Sequence, residues 1–538
     1  MRSRWTLAAA LLLTAACNPL ATAAPAIGAP AAASYRPSPA THRGGTLVLG
    51  DWEFPQTLDI YAAATDADFR AASVMYSPLW GLDAKLQPYP DLVREVPTVQ
   101  NGDVKVAAGG AMTVLVRLLP GLHWSDGAPL TADDVVYTWQ SHAQAFPRLL
   151  GVQRRSDTDV VWSFGSVFAP YLEIGPQFWV VPAHHPQPAE VVSGPFVLAG
   201  QVAGQSLTYA ANPHYADGRR GYFAHPPDLD RVVDRVYPSK AALLAGLRAG
   251  EADLGFNLDT GDLHDLQGMS GSAPLVFTGL RSEFLNPNHA ANAATGQSPP
   301  WVGDPAVLDA LDRALDRPAL LDAELGGQGR PSRALFPSAL RSWVDPAAPG
   351  PTRDLEGARQ LLDGDGWKAG VDGVRQKGAR RLQFELLAAC GTAAAAQEVA
   401  LLKQQWQDVG ASVATGCQPR SQFFGQTNPG GRFDMTVYSN QWLADPDAWA
   451  VFGASGSSWN RCQDPKVDAA LGAGAATLDP AKRQADYLAL QREWLAYHCT
   501  IPLYEWPELR QVAGGVHNFL PAGGPSLDTW NAADWWLG

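Results

Sequence analysis

Five cysteines carry the most distinctive chemistry in this 538-residue sequence: Cys17, Cys390, Cys417, Cys462 and Cys499. A thiol of this kind closes a disulfide or ligates a soft metal. Metal ligation calls for C-x-x-C spacing or a Cys/His cluster, and neither occurs. The adjacent pair His184-His185 has the look of a metal pair. No G-x-S-x-G, H-E-x-x-H or G-x-x-x-x-G-K-[ST] motif is present. Carboxylates are plentiful, but nothing singles out an acid/base pair. No catalytic residue, cofactor or metal site is assigned. The nineteen Trp fit either an aromatic binding cleft or a Trp-rich core.

Composition narrows the class. Hydrophobic residues make up 46% and charged residues 17%, as in globular chains with sizeable cores. The length suggests about three domains. A net charge of -13 without a basic run argues against nucleic acid, which needs clustered Lys/Arg. Arg2 and Arg4 precede an apolar run, Leu7–Ala16, too short to span a bilayer. Residues 1–16 therefore read as a signal peptide. Small residues followed by Cys17 look like a lipobox, with Thr14 where its Leu usually stands. Cleavage after Ala23 is the alternative. Residues 17–43, rich in Ala and Pro, read as a tether. The chain is expected to be exported, either lipid-anchored outside the membrane or periplasmic.

The elements that must position any site alternate between strand and helix, an α/β pattern. Residues 45–50 and 112–118 read as strands. A helix is expected over 131–140, with Thr131 as its cap and Asp133 and Asp134 complementing its dipole. Further helices are expected over 240–250, over 304–316 until Pro318 stops it, and from Asp479-Pro480 with Tyr487, Leu490 and Trp494 buried. Residues 383–388, a helix ending at Gly410 and residues 411–414 form a βαβ unit with parallel strands. Cys390 and Cys417 then lie near neighbouring strand ends, where a disulfide is reasonable. Cys462–Cys499 is the remaining pair. Four cysteines allow three pairings, and a reduced set is the alternative.

Several segments together resemble the family 5 extracellular solute-binding proteins of ABC importers, which include dipeptide-, oligopeptide- and nickel-binding members. The main one is Val116–Thr138 (VRLLPGLHWSDGAPLTADDVVYT). Around it, in order, come Gly44-Gly45-Thr46-Leu47, Thr57-Leu58-Asp59, Tyr76–Pro88, Ser193–Phe196, Asn212–Tyr215, Gly250–Leu254, Leu311–Arg317, Asp354–Trp367 and Asn460–Asp468. Pro182-Ala183-His184 is similar to a family loop, which reads His184 as structural.

The resemblance implies an α/β, two-lobed, type II periplasmic-binding-protein clamshell with an extra domain inserted in lobe I. Lobe I would take 44–74, 192–276 and 508–538. The insert would be 75–191 and lobe II 277–507, with crossings near Phe277–Glu283 and Trp506–Arg510. Ser439–Trp449 (SNQWLADPDAW) resembles the family's ligand loop, which puts Asp445 on a peptide's α-ammonium and Trp442 in its pocket, flanked by Asn440 and Ala444. Trp52, Glu53 and Phe54 after the first strand, with Trp449 and Trp459, complete the candidates. Residues 389–397 lack the Arg by which dipeptide-specific members hold a carboxylate, so a longer peptide fits better. The expected partners are a peptide and the permease of an ABC importer, with the chain a monomer and not an enzyme. An oligosaccharide or a metal chelate is the alternative ligand, and a receptor detached from any transporter the alternative role.

Overall fold

The computed structural model of the chain describes residues 35–538, except 349, 351, 448–460, 463 and 524–527. The export segment 1–16, Cys17, tether residues up to 34, Trp449 and Trp459 lie outside the described residues.

Strand β1 (Thr46–Asp51) runs from the surface into the core. Helix α1 (Asp66–Ser73) starts at Thr65 with a capping box closed by Asp68. Strands β2 (Val104–Val106), β3 (Met112–Arg117), β4 (Gly151–Arg154) and β5 (Asp159–Phe164) form a separate antiparallel sheet in the order β2-β3-β5-β4. Met112, Val114 and Val116 alternate inward along β3, the period of a half-buried strand. Helix α2 (Ala132–His142) packs on this sheet, capped by Thr131. Asp134 does more than complement its dipole. It is buried, closes the capping box and accepts the Ala183 N–H at 2.9 Å, tying the helix to a distant loop.

The chain continues through β6 (Phe196–Val202), β7 (Ser206–Ala211), β8 (Arg231–Val236), helix α3 (Lys240–Arg248), β9 (Leu254–Gly255) and the sixteen-residue β10 (Ser272–Pro287). Helices α4 (Ala306–Arg313) and α5 (Arg317–Leu325) follow. Pro318 was expected to stop a helix; it also opens α5, where a first-turn proline lacks only a hydrogen that has no partner anyway. Then come β11 (Gln383–Ala389), α6 (Ala393–Gln407), β12 (Ser412–Gln418), β13 (Met435–Gln441), α7 (Pro480–Tyr497) and β14 (Ile501–Ala513).

One eleven-stranded sheet organises all of this, in the order β12-β11-β13-β10-β14-β9-β1-β8-β7-β6, with Arg330–Pro331 paired off that path against β14. β11 lies parallel to β12 and β13, and β1 lies parallel to β8 and β9. The long antiparallel ribbon β10–β14 joins these two parallel groups. Its register breaks between Thr278 and Ser282, so the ribbon bends where the groups meet.

The apolar cores divide the same way. One uses residues of β1, α1, β7, β8 and β9 with Phe519 and Trp535. A second lies within 79–191. A third packs α4, α5 and α6 on β11 and β13, and a fourth packs α7 around Phe336 and Trp442. Trp80, Trp124, Trp162, Trp367, Trp406, Trp494 and Trp535 are spent on these cores.

Candidate functional site

Strand β13 is buried as far as Tyr438, then emerges toward Gln441. Gln441 pairs with Arg281 and Asn440 with Ser282, at the break in the β10–β14 ribbon. The Trp442 N–H donates to the Leu280 carbonyl at 2.8 Å and turns the chain off the sheet. Residues 441–444 are thereby held where the two halves of the sheet meet.

Two cavities open at this place. An apolar chamber of about 280 Å³ is walled by Tyr76, Trp179, Trp442, Leu443 and Trp530. A polar chamber of about 560 Å³ is lined by Trp52, Arg70, Arg281, Ser439, Trp506 and Arg510, among others. Gln441 lines both. Residues from both halves of the sheet face each chamber, the usual setting of a ligand cleft.

The sequence candidates distribute unevenly. Trp442 is buried, edge-on to Phe336 at 4.9 Å and to Phe284 at 6.2 Å, and borders the apolar chamber. Ala444 borders it too. Trp52 lines the polar chamber, and its indole N–H donates to the Asn257 carbonyl at 2.9 Å. Glu53 accepts from the Asn257 side chain at 3.2 Å, and burial raises its carboxyl, helped by Asp51. Phe54 packs against the first core, and neither Glu53, Phe54 nor Asn440 borders a chamber.

Asp445 is a different case from the one expected. Both its oxygens accept from Arg483 of α7, at 2.6 and 2.7 Å, with side chains only 8% and 5% exposed. Arg483 also donates to the Gly474 carbonyl and lies over Trp343 and Tyr487. The carboxylate is already paired with a cation of the protein itself, and a ligand ammonium would share it with Arg483 through its remaining acceptor sites. Asp445 borders a smaller hollow of about 180 Å³, shared with Ala444, Trp343 and Glu173.

Some cleft residues carried no signal of their own. Glu173, Trp179 and Trp530 are distant in sequence and meet only through the fold. Arg281 is one of them: its Nε donates to Ser439 Oγ at 2.8 Å and its guanidinium stacks 3.9 Å from the Trp506 ring centre. Behind it, burial holds the carboxyls of Glu283 and Glu324 at about 7, against the pull of Arg281. Arg483 did have a signal. It lies four residues before Tyr487, on the buried stripe of α7, where a charge needs a partner.

The sulfurs of Cys390 and Cys417 are joined, as are those of Cys462 and Cys499, with Cα atoms 4.8 and 5.3 Å apart. Cys417 lies within β12 rather than past its end. His184 and His185 bond separate carboxylates, Asp126 at 2.9 Å and Glu190 at 2.7 Å. Among the described residues no group of three His, Cys, Asp or Glu could hold a metal ion.

Residues 87–461 match the family model described as bacterial extracellular solute-binding proteins, family 5 middle. The chain belongs to this family. It is 27% identical to protein XP55 of Streptomyces lividans, over 94% of each chain. It is 25% identical to the oligopeptide-binding protein AppA of Bacillus subtilis, over 77% of this chain and 76% of that one. The structure of Bacillus subtilis AppA with a nonapeptide matches 94% of this chain and 100% of its own, with a TM-score of 0.68 and 22% identity. NikA from Brucella suis with Fe(III)-EDTA matches 92% and 100%, with a TM-score of 0.75 and 18% identity. The fold is the α/β, two-lobed type II periplasmic-binding-protein fold of family 5. Among the described residues of this family 5 chain, no helix is long and apolar enough to cross a membrane.

Proposed function

We propose that this chain is an extracytoplasmic receptor that captures peptides between two lobes and delivers them to an ABC-type importer. One observation carries the reading: an apolar and a polar chamber, joined at Gln441, lie where the two parallel groups of the sheet meet. A peptide offers that pair of chambers side chains for one and backbone or charged groups for the other. The oligopeptide-binding relatives support the same ligand class. Lobe I would comprise 44–74, 192–276 and 508–538, with 75–191 inserted, and lobe II 277–507. The hinge is the bend of the β10–β14 ribbon, near 277–283 and 506–510. Ligand touching both lobes favours the closed form in proportion to that added contact. Cys17 would carry the lipid anchor, the chain would act as a monomer, and no catalytic step is assigned.

A metal chelate or another anionic ligand is the second reading. It rests on Arg281 and Arg420 in the polar chamber, which have no carboxylate within ion-pair distance among the described residues. Native mass spectrometry separates the two. The purified protein is weighed, denatured, and its released ligand identified. A ladder of short peptides of mixed sequence is the expected result. A single chelate or sugar mass would overturn the peptide reading and leave the receptor role standing.

A further inference from the structure

The segment read as a tether is docked on the folded body at Tyr35 and Ser38. Tyr35 is only 8% exposed. Its hydroxyl donates to Asp534 at 2.7 Å and accepts from the Asn531 side chain at 2.8 Å. The Ser38 N–H donates to the Asn518 side chain at 2.9 Å. The Ser38 carbonyl accepts from Asn518 at 3.0 Å and from the Trp536 indole at 3.2 Å. Asn531 spends its other bonds close by, donating to the Asn518 carbonyl at 2.6 Å and accepting from the Trp535 indole at 3.1 Å. The bonds of Tyr35 and Ser38 join positions 480 to 499 residues apart, so side chains from the far end of the chain fix this segment, and not its own sequence.

Trp530 comes one residue before Asn531. Its ring meets the Tyr35 ring nearly edge-on with centres 4.8 Å apart, and the Tyr89 ring at 5.4 Å. Its indole N–H donates to the Leu520 carbonyl at 2.6 Å, and its carbonyl accepts from the Tyr89 hydroxyl at 3.2 Å. Trp530 is half-buried and walls the apolar chamber. Tyr35 does not line that chamber and reaches it only through Trp530. Aromatic pairs have preferred geometries, so the Tyr35 ring favours one orientation of the Trp530 ring.

We propose that Tyr35 is a positioning residue for the ligand: by holding the Trp530 ring it shapes the apolar chamber and sets which ligand side chains the chamber accepts. The inference rests on the peptide reading, on which the selected group is an apolar side chain of the peptide. A ring already held in place adds its contact without an ordering cost at the moment of binding. An aromatic side chain gains most, because it covers the largest area of that wall. The stretch ahead of the first strand is then part of the support of the cleft and not only a spacer.

The test offers the purified protein an equimolar pool of synthetic pentapeptides: all-alanine, and alanine with one phenylalanine at each position in turn. Retained peptides are quantified by mass spectrometry. The wild type is expected to favour its best phenylalanine peptide over all-alanine by about tenfold or more. Tyr35→Leu is expected to cut that ratio by about threefold or more, and Tyr35→Phe, which keeps the ring, to preserve it. The ratio of two peptides competing for one site does not depend on the folded fraction, so a purely structural role would leave it unchanged. If Tyr35→Leu does not fold, Tyr35→Met, whose flexible chain fits an irregular gap, gives the same comparison. An undiminished ratio in the Leu or Met variant, or no preference in the wild type, overturns the role of Tyr35 and leaves peptide capture standing. Retention of no peptide by the wild type overturns both.

Discussion

Asp445→Ala is the perturbation that separates the two readings of the ligand loop. If Asp445 waits for an ammonium, its removal weakens ligand binding and hardly affects the empty protein. If it neutralises Arg483, its removal leaves a guanidinium with a 5% exposed side chain facing Trp343 and Tyr487. Breaking one member of such a buried pair costs about 3–5 kcal/mol. The upper part of that range fits here, because two hydrogen bonds of 2.6 and 2.7 Å are lost together. The remaining Nε bond to the Gly474 carbonyl holds the orphaned charge in place rather than letting it swing to water. The double variant Asp445→Ala with Arg483→Met removes both charges and keeps an apolar stem over the rings, so it should recover most of the loss. Urea unfolding of the ligand-free wild type, the two single variants and the double variant reads this directly. A loss below about 1 kcal/mol for Asp445→Ala, together with a collapse of peptide affinity, would refute the reasoning and return Asp445 to the ligand.

Three further outcomes follow from the same geometry. The chain separations of 27 and 37 residues at the two disulfides predict that each stabilises the fold by about 3.5–4 kcal/mol through loop closure, which Cys390→Ala with Cys417→Ala measures as a fall in the urea midpoint. Burial raises the Glu283 carboxyl from 4.5 to about 7, so the native state holds a proton that the unfolded chain has released. That favours the native state at low pH and is lost as pH climbs from about 4.5 to 7, so the melting temperature of the wild type relative to Glu283→Gln should fall between pH 5 and pH 8. Gly175→Ala would drive a methyl into the Trp80 ring and should destabilise by at least the ~1–3 kcal/mol typical of overpacking, seen as a lower melting temperature.

Local patterns explain why much of the scaffold could be read in advance. The cap at Thr131, the Asp479-Pro480 helix start and the βαβ unit around Gly410 depend on neighbours within a few residues; the cap and the helix start stand where expected, and the βαβ helix ends at Gln407, three residues before Gly410. The lengths of β10 and β14 were not legible. Each continues through polar and proline residues because a partner strand, and not its own sequence, satisfies its backbone. Pro318 shows the same limit at smaller scale, since a proline ends one helix as readily as it begins the next.

The site divides along the same line, and charge is the reason. Trp442 and Ala444, placed in advance by the resemblance of the ligand loop, border the apolar chamber, held there by a register with a strand distant in sequence. The role of Asp445 depends on which cation reaches it first. A resemblance in the ligand loop carries no information about α7, where the competing guanidinium sits 38 residues away. Arg483 announces itself only as a charge in phase with Tyr487, Leu490 and Trp494, a position that a buried stripe leaves open to Arg only when a carboxylate waits opposite. Asp445 and Arg483 thus act as one unit, and a substitution at either changes what the other presents to the cleft.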